Sequence, residues 1–135
     1  MSSVLVYTNQ KGGVSVCTPT GEMSIAEVQA NHIPDSVVSF IISDATLPKA
    51  DDFFDAWEQT YGVVTVNLSK AKEITKNRLR AERAPLLAAQ DVLFQRALET
   101  GADTTAIVAE KNRLRNITTL ADSCTTLDQL RALHA

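Results

Sequence analysis

Asn9-Gln10-Lys11-Gly12-Gly13-Val14 is the segment whose residue types and spacing come nearest to a known chemistry. A lysine and a glycine pair directly after a β-rich run is how a phosphate-binding loop begins. Such a loop cradles phosphate with backbone donors, then supplies a lysine and a Ser or Thr as a helix starts. Here the chain continues Ser15-Val16-Cys17-Thr18-Pro19. The second lysine is missing, the β-branched residues favour a strand, and Pro19 opposes a helix. The segment therefore predicts a hairpin turn, with Gly12 and Gly13 supplying positive φ angles.

The remaining reactive side chains are scattered. His32, His134, Cys17 and Cys124 lie too far apart for metal-ligand spacing. No nucleophile-elbow signature occurs, and Asp51-Asp52 suits a helix cap better than a metal site. No catalytic, metal or cofactor-binding residue is assigned, and the expectation is a non-enzymatic protein without a cofactor.

Charge says more. Lys72, Lys76, Arg80 and Arg83 recur at helical spacing and form one basic stripe. A stripe of this kind could follow nucleic-acid phosphates, but no aromatic residue interleaves it for base stacking. A solvated or intramolecular face is the preferred reading. An acidic protein partner comes next, and nucleic acid after that. Phe53, Trp57 and Tyr61 fall at i, i+4 and i+8, which predicts one aromatic helical face serving mainly as core.

The elements that must position these groups follow from pattern and punctuation. Two strands flank the Lys11-Gly12-Gly13 turn. A capping box of Ser24 and Glu27 starts a short helix that runs to about Asn31. Pro34-Asp35 ends a turn, and Val37–Ile42 is apolar enough to be a strand buried on both faces. Asp51 or Asp52 caps the aromatic helix, Gly62 stops it, and Val63–Leu68 alternates as a fourth strand. From an N-cap at Ser69, a long helix reaches about Thr100, with a kink or break near Ala84 because of Pro85. Leu79, Leu86, Leu93 and Ala97 form its apolar line. Gly101 ends it, and Asp103 caps a second helix that runs to about Leu120 with Ile107, Leu114, Ile117 and Ala121 on one face. Thr125 and Asp128 cap a last short helix. Strands before helices give an α+β class: a small, mainly antiparallel sheet with short helices, then a kinked helical hairpin and a short terminal helix. The expected parts are 1–68 and 69–135.

These parts differ in charge. Residues 1–68 hold two basic and eight acidic residues, hence −6, and residues 69–135 hold eleven basic and eight acidic, hence +3. Such asymmetry suits halves that attract each other or face different partners. The start MSSVLVYTNQ lacks a basic stretch followed by a long apolar run, so no signal peptide is expected. The longest apolar stretch is too short to span a membrane. Both cysteines are expected to be reduced thiols.

Several segments resemble small virion and tail-assembly proteins of tailed bacteriophages. They are Ser43-Asp44-Ala45-Thr46-Leu47-Pro48, Phe53-Phe54-Asp55-Ala56-Trp57-Glu58, Val66-Asn67-Leu68-Ser69-Lys70-Ala71-Lys72-Glu73-Ile74, Leu86-Leu87-Ala88-Ala89-Gln90-Asp91, Phe94-Gln95-Arg96-Ala97 and Lys111-Asn112-Arg113-Leu114-Arg115-Asn116-Ile117. Their order carries the resemblance, over roughly residues 1–120. One departure is Lys49-Ala50-Asp51-Asp52, where such proteins often place an arginine before the Phe. The resemblance implies a multi-copy structural component near the neck or tail, in the virion and, during assembly, in the host cytoplasm. Its partners would be other phage structural proteins or further copies of itself. Alternatives are a tail-assembly chaperone absent from the mature virion, and a nucleic-acid-binding accessory protein using the basic stripe. The outward contacts are expected at Lys72, Lys76, Arg80 and Arg83 and around Lys11, Gly12 and Gly13.

Overall fold

The computed structural model describes residues 2–34, 36–49 and 51–135, Asp51 by its backbone alone. The class is α+β, and the chain divides into two compact units, Met1–Asn67 and Leu68–Ala135.

The first unit is built on its first strand. Strands β1 (Ser3–Thr8), β2 (Val14–Cys17) and β3 (Phe40–Ser43) form an antiparallel sheet in the order β2-β1-β3. Val6 sits opposite Val16 on one side and Phe40 on the other. Successive side chains of a strand point to opposite faces. Val4 and Val6 accordingly pack with Val14, Trp57 and Val64, whereas Leu5 packs with Val28 and Ile33 of the other face. The run Val4-Leu5-Val6 is apolar at every position because both faces are covered. Helix α1 (Ile25–His32) covers the Leu5 face, and its Ser24–Glu27 capping box forms as expected.

The third strand differs from expectation. It begins at Phe40, not Val37, and it is an edge strand: Val38 is 70% and Ile41 45% exposed. The doubly covered position belongs to β1, so an apolar run alone misassigned the centre of the sheet. Of the Pro34-Asp35 turn, the Val37 amide donates to the Pro34 carbonyl, and Asp35 lies outside the described residues.

The aromatic helix is not formed. Residues Asp51–Ala56 make 3-10 turns interrupted at Phe53, and Trp57–Thr60 is a strand, β4, antiparallel to β5 (Val63–Val66). Asp51's side chain lies outside the described residues, so its capping role does too. Phe53 and Trp57 are buried, but Tyr61 is 87% exposed at the hairpin tip. The β-branched run Val63–Val66 needs a strand partner, and Trp57–Thr60 supplies it through a two-residue turn. Tyr61 and Gly62 both have positive φ, as a type I′ turn requires. A Cβ on Gly62 would also lie 3.1 Å from the Phe40 Cβ.

The second unit is organised by one helix, α2 (Leu68–Thr100), with 33 residues. It starts one residue before Ser69, so Ser69 lies in its first turn rather than capping it. Pro85 sits inside α2 without breaking it. Pro85 and Ala81 are both exposed, so the carbonyl that loses its helical donor meets water. Gly101, at φ 69°, ends the helix. Helix α3 (Thr105–Asn116) stops short of Leu120, and α4 (Thr119–Asp122) follows after a break at Ile117-Thr118. Three β-branched residues in a row weaken the helix there. The N-cap position of α3 is Thr104, not Asp103, and its side chain makes no capping bond; Asp103, one residue earlier, accepts the Thr105 amide and hydroxyl. Helix α5 (Leu127–Ala132) is capped by Thr126, not Thr125, because Thr126 has extended backbone and its side chain accepts the Gln129 amide. Asp128 instead pairs with Arg131.

Gly62 gives a test of the β4–β5 hairpin. Gly62→Ala is expected to lower stability by about 2 kcal/mol, from backbone strain plus the contact with Phe40. Gly21→Ala, also at positive φ but in open space, should cost only about 1 kcal/mol. Urea unfolding of both variants measures the difference.

Candidate protein-interaction surface

The basic stripe is largely an internal clamp of the second unit. Lys76 Nζ lies 2.7 Å from an Asp122 carboxylate oxygen and 3.3 Å from Glu73. The Asp122 hydrogen bond is the main cause holding the Lys76 amine above its ordinary range. Lys72 donates to the Asp122 carbonyl, and Arg83 donates to the carbonyls of Leu114 and Arg115. Those carbonyls lie in the last turns of α4 and α3, where a cation is favoured by hydrogen bonding and by the helix dipole. Arg80 is the exposed member and, among the described residues, its side chain donates to Asn77 nearby. The geometry brings Lys72, Lys76 and Arg83 onto the helices beside α2 and leaves Arg80 outside.

A second group of contacts holds α5 to an adjoining face of α2. Arg78 donates to the Leu130 carbonyl and to Glu82, and Glu82 also receives the Ala135 amide and contacts His134 Nδ1 at 3.1 Å. The His134 hydrogen bond, then the Ala135 amide and Arg78, hold the Glu82 carboxyl below its ordinary range.

Beyond Glu82 that face is uncovered. Arg78, Glu82, Leu86, Ala89, Leu93 and Arg96 follow one another at steps of three or four residues, so they share one line along α2. Tail and α5 residues meet the line at Arg78 and Glu82. From there on Leu86 is 42%, Leu93 45% and neighbouring Val92 50% exposed, and Ala89 is exposed as well. On α2's other side α3 provides cover: Lys111 pairs with Asp91 at 2.6 Å and sits over the Phe94 ring. The sequence line Leu79, Leu86, Leu93, Ala97 thus divides. Leu79 and Ala97 are buried, while Leu86 and Leu93 are not. On the opposing arm Leu114, Ile117 and Ala121 are buried and Ile107 is partly so. Ala89, Val92 and Arg96 were not singled out from sequence. Their signal is the i, i+3, i+7 spacing of Leu86, Ala89 and Leu93, which differs from the i, i+7 line that also includes Leu79.

In the first unit the Lys11-Gly12-Gly13 turn forms as a hairpin, with positive φ at Gly12 but not at Gly13. The Asn9 carboxamide oxygen accepts the amides of Lys11 and Gly13, and the Asn9 carbonyl accepts the Gly12 amide. The donors a phosphate would need are therefore already used, and a strand follows in place of a helix. Lys11 is exposed at the border of two shallow clefts. One is walled by Tyr7, Pro34 and Val37, and the other by Val14, Phe54 and Asp55.

Cys17 and Cys124 are free thiols, half-buried and buried respectively. Among the described residues no helix is long and apolar enough to cross a membrane, and no group of three or more His, Cys, Asp or Glu side chains could hold a metal ion. Comparison with protein-family models, with curated proteins and with solved structures returns no match to this chain.

Two measurements test these assignments. Arg83→Ala is expected to destabilise the protein by about 1–2 kcal/mol through the lost charge-assisted bonds, while Arg80→Ala should change stability by less than about 0.5 kcal/mol. Thermal or urea unfolding of the pair checks this. The Glu82 carboxyl, lowered in the folded state, contributes fully above its ordinary pKa of 4.5. That contribution is lost as pH falls through the lowered folded value. Protection of the Ala135 amide, its exchange rate compared with the intrinsic rate at the same pH, should accordingly fall on acidification below that range, and Glu82→Gln should weaken the dependence.

Proposed function

We propose that this chain is a non-enzymatic structural or assembly protein of a tailed bacteriophage, a multi-copy virion component of the neck or tail that acts through protein–protein contacts. The observation that carries the contact role is the uncovered apolar row Leu86, Ala89, Val92 and Leu93 on α2. Exposed apolar residues scattered singly are ordinary, but a row at helical spacing that continues a covered face is a surface suited to another helix. The phage setting rests on the ordered resemblance of the chain's segments to such proteins. Of the row, Leu86 and Ala89 lie within one of those segments, Leu86–Asp91, and Val92 and Leu93 lie between it and the next, Phe94–Ala97.

Mass spectrometry of purified virions tests the reading. The protein should be present at several copies per particle, and a Leu93→Asp variant should be lost from particles while still accumulating in infected cells. Absence of the wild-type protein from mature particles would overturn the virion role in favour of a transient assembly chaperone. Salt-sensitive binding to nucleic acid that is abolished by reversing Arg80 would instead favour the nucleic-acid reading.

A further inference from the structure

We infer that the uncovered row of α2 is a self-association seam, in which α2 of a second copy packs antiparallel about a two-fold axis at Ala89. This rests on reading the row as a contact surface and names its occupant.

The spacing specifies the kind of partner. Leu86, Ala89, Leu93 and Arg96 alternate steps of three and four, the pattern by which one helix presents a narrow stripe to another. Pro85 and Val92 flank the stripe on one side and widen its apolar part.

The order of residues along the stripe specifies that partner as the chain itself. In an antiparallel pair centred on Ala89, each residue meets the one equally far beyond the centre. Leu86 then meets Val92 of the second copy, Pro85 meets Leu93, and Glu82 meets Arg96. Apolar residues thus face apolar ones, and at each end Arg96 approaches Glu82, whose carboxylate also holds Arg78, His134 and the Ala135 amide of its own chain. At the crossing point Ala89 faces Ala89, and a small side chain there lets the two backbones approach closely. A two-fold contact uses the same patch on both copies, so this self-complementarity is the property it requires. Arg96 is exposed and has no ion-pair partner among the described residues, so its charge is available to the second copy. A seam from Glu82 to Arg96 is about 21 Å long at the rise of an α-helix. That length places the contact at the small end of specific interfaces and makes it concentration-dependent.

The experiment is disulfide trapping in a full-length background carrying Cys17→Ser and Cys124→Ala, with folding verified by circular dichroism. Ala89→Cys should give a covalent dimer on mild oxidation. Ala88→Cys and Gln95→Cys, which point about 100–120° away from Ala89 round α2, should give little. In parallel, sedimentation of the chain with its native cysteines reduced should show a monomer–dimer equilibrium. Leu93→Asp and Arg96→Glu should each weaken it by at least about tenfold. Failure of Ala89→Cys to cross-link, equal cross-linking at Ala88→Cys, or a dimer indifferent to Leu93→Asp would each overturn the inference. The wider reading fails separately. A solution dimer with these properties, from a protein absent from virions, contradicts the virion role alone. A virion protein that shows none of them contradicts the seam alone.

Discussion

A helix of 33 residues is about 50 Å long, and the three helices that follow α2 are too short to cover it. This mismatch governs the second unit. Along its first half α2 carries α5 on one face and α4, with the end of α3, on the adjoining one. Along its second half α3 covers one side, and among the described residues Leu86, Ala89, Val92 and Leu93 of another face stay exposed. The cations Lys72, Lys76 and Arg83 belong to the covered portion. Lys72 and Arg83 donate to carbonyls at the ends of α4 and α3, and Lys76 pairs with the Asp122 carboxylate, so the three tie short helices to the long one. The stripe that looked most like a ligand surface is thus mostly structural, and the apolar row that looked like core is the free surface.

Magnitudes explain why such a seam can stay uncovered in a folded chain and still matter. Completing the burial of a half-exposed Leu or Val is worth about 1 kcal/mol. Leu86, Val92 and Leu93 from two copies therefore give about 6 kcal/mol. Association costs an amount of the same order in lost rotational and translational freedom. The balance predicts weak pairing between free copies and firm pairing where copies are held close together, as in a symmetric particle. Pro85 fits this arrangement. It lies on the exposed flank of the seam, where the carbonyl left without a donor is hydrated, and it does not interrupt the helix.

Much of the fold could be read from residue order because local signals and tertiary packing agree. The Ser24–Glu27 capping box, the Asn9–Gly13 hairpin, the long helix ending at Gly101 and the strands-then-helices order all form as their chemistry dictates. Misreadings occur where a local pattern has two solutions. Phe53, Trp57 and Tyr61 have helical spacing, but the β-branched Val63–Val66 run captures Trp57–Thr60 as a strand and leaves Tyr61 on a turn. Val37–Ile42 is as apolar as a central strand, yet the centre is taken by Val4-Leu5-Val6, and periodicity does not say which strand lies between two others. The same ambiguity hid the interaction surface. Leu79, Leu86, Leu93 and Ala97 are one line in sequence. Which of them is covered depends on where the shorter helices pack along α2, and no local motif sets that.

The account stands on the exposed face of α2 meeting its own copy. The direct measurement is an isotope-filtered nuclear Overhauser experiment on a mixture of labelled and unlabelled full-length chains. Methyl cross-peaks between Leu86 of one copy and Val92 of the other, growing with protein concentration, are the predicted result. Methyl signals of Leu86, Val92 and Leu93 that stay unchanged with concentration and show only contacts within one chain would contradict it.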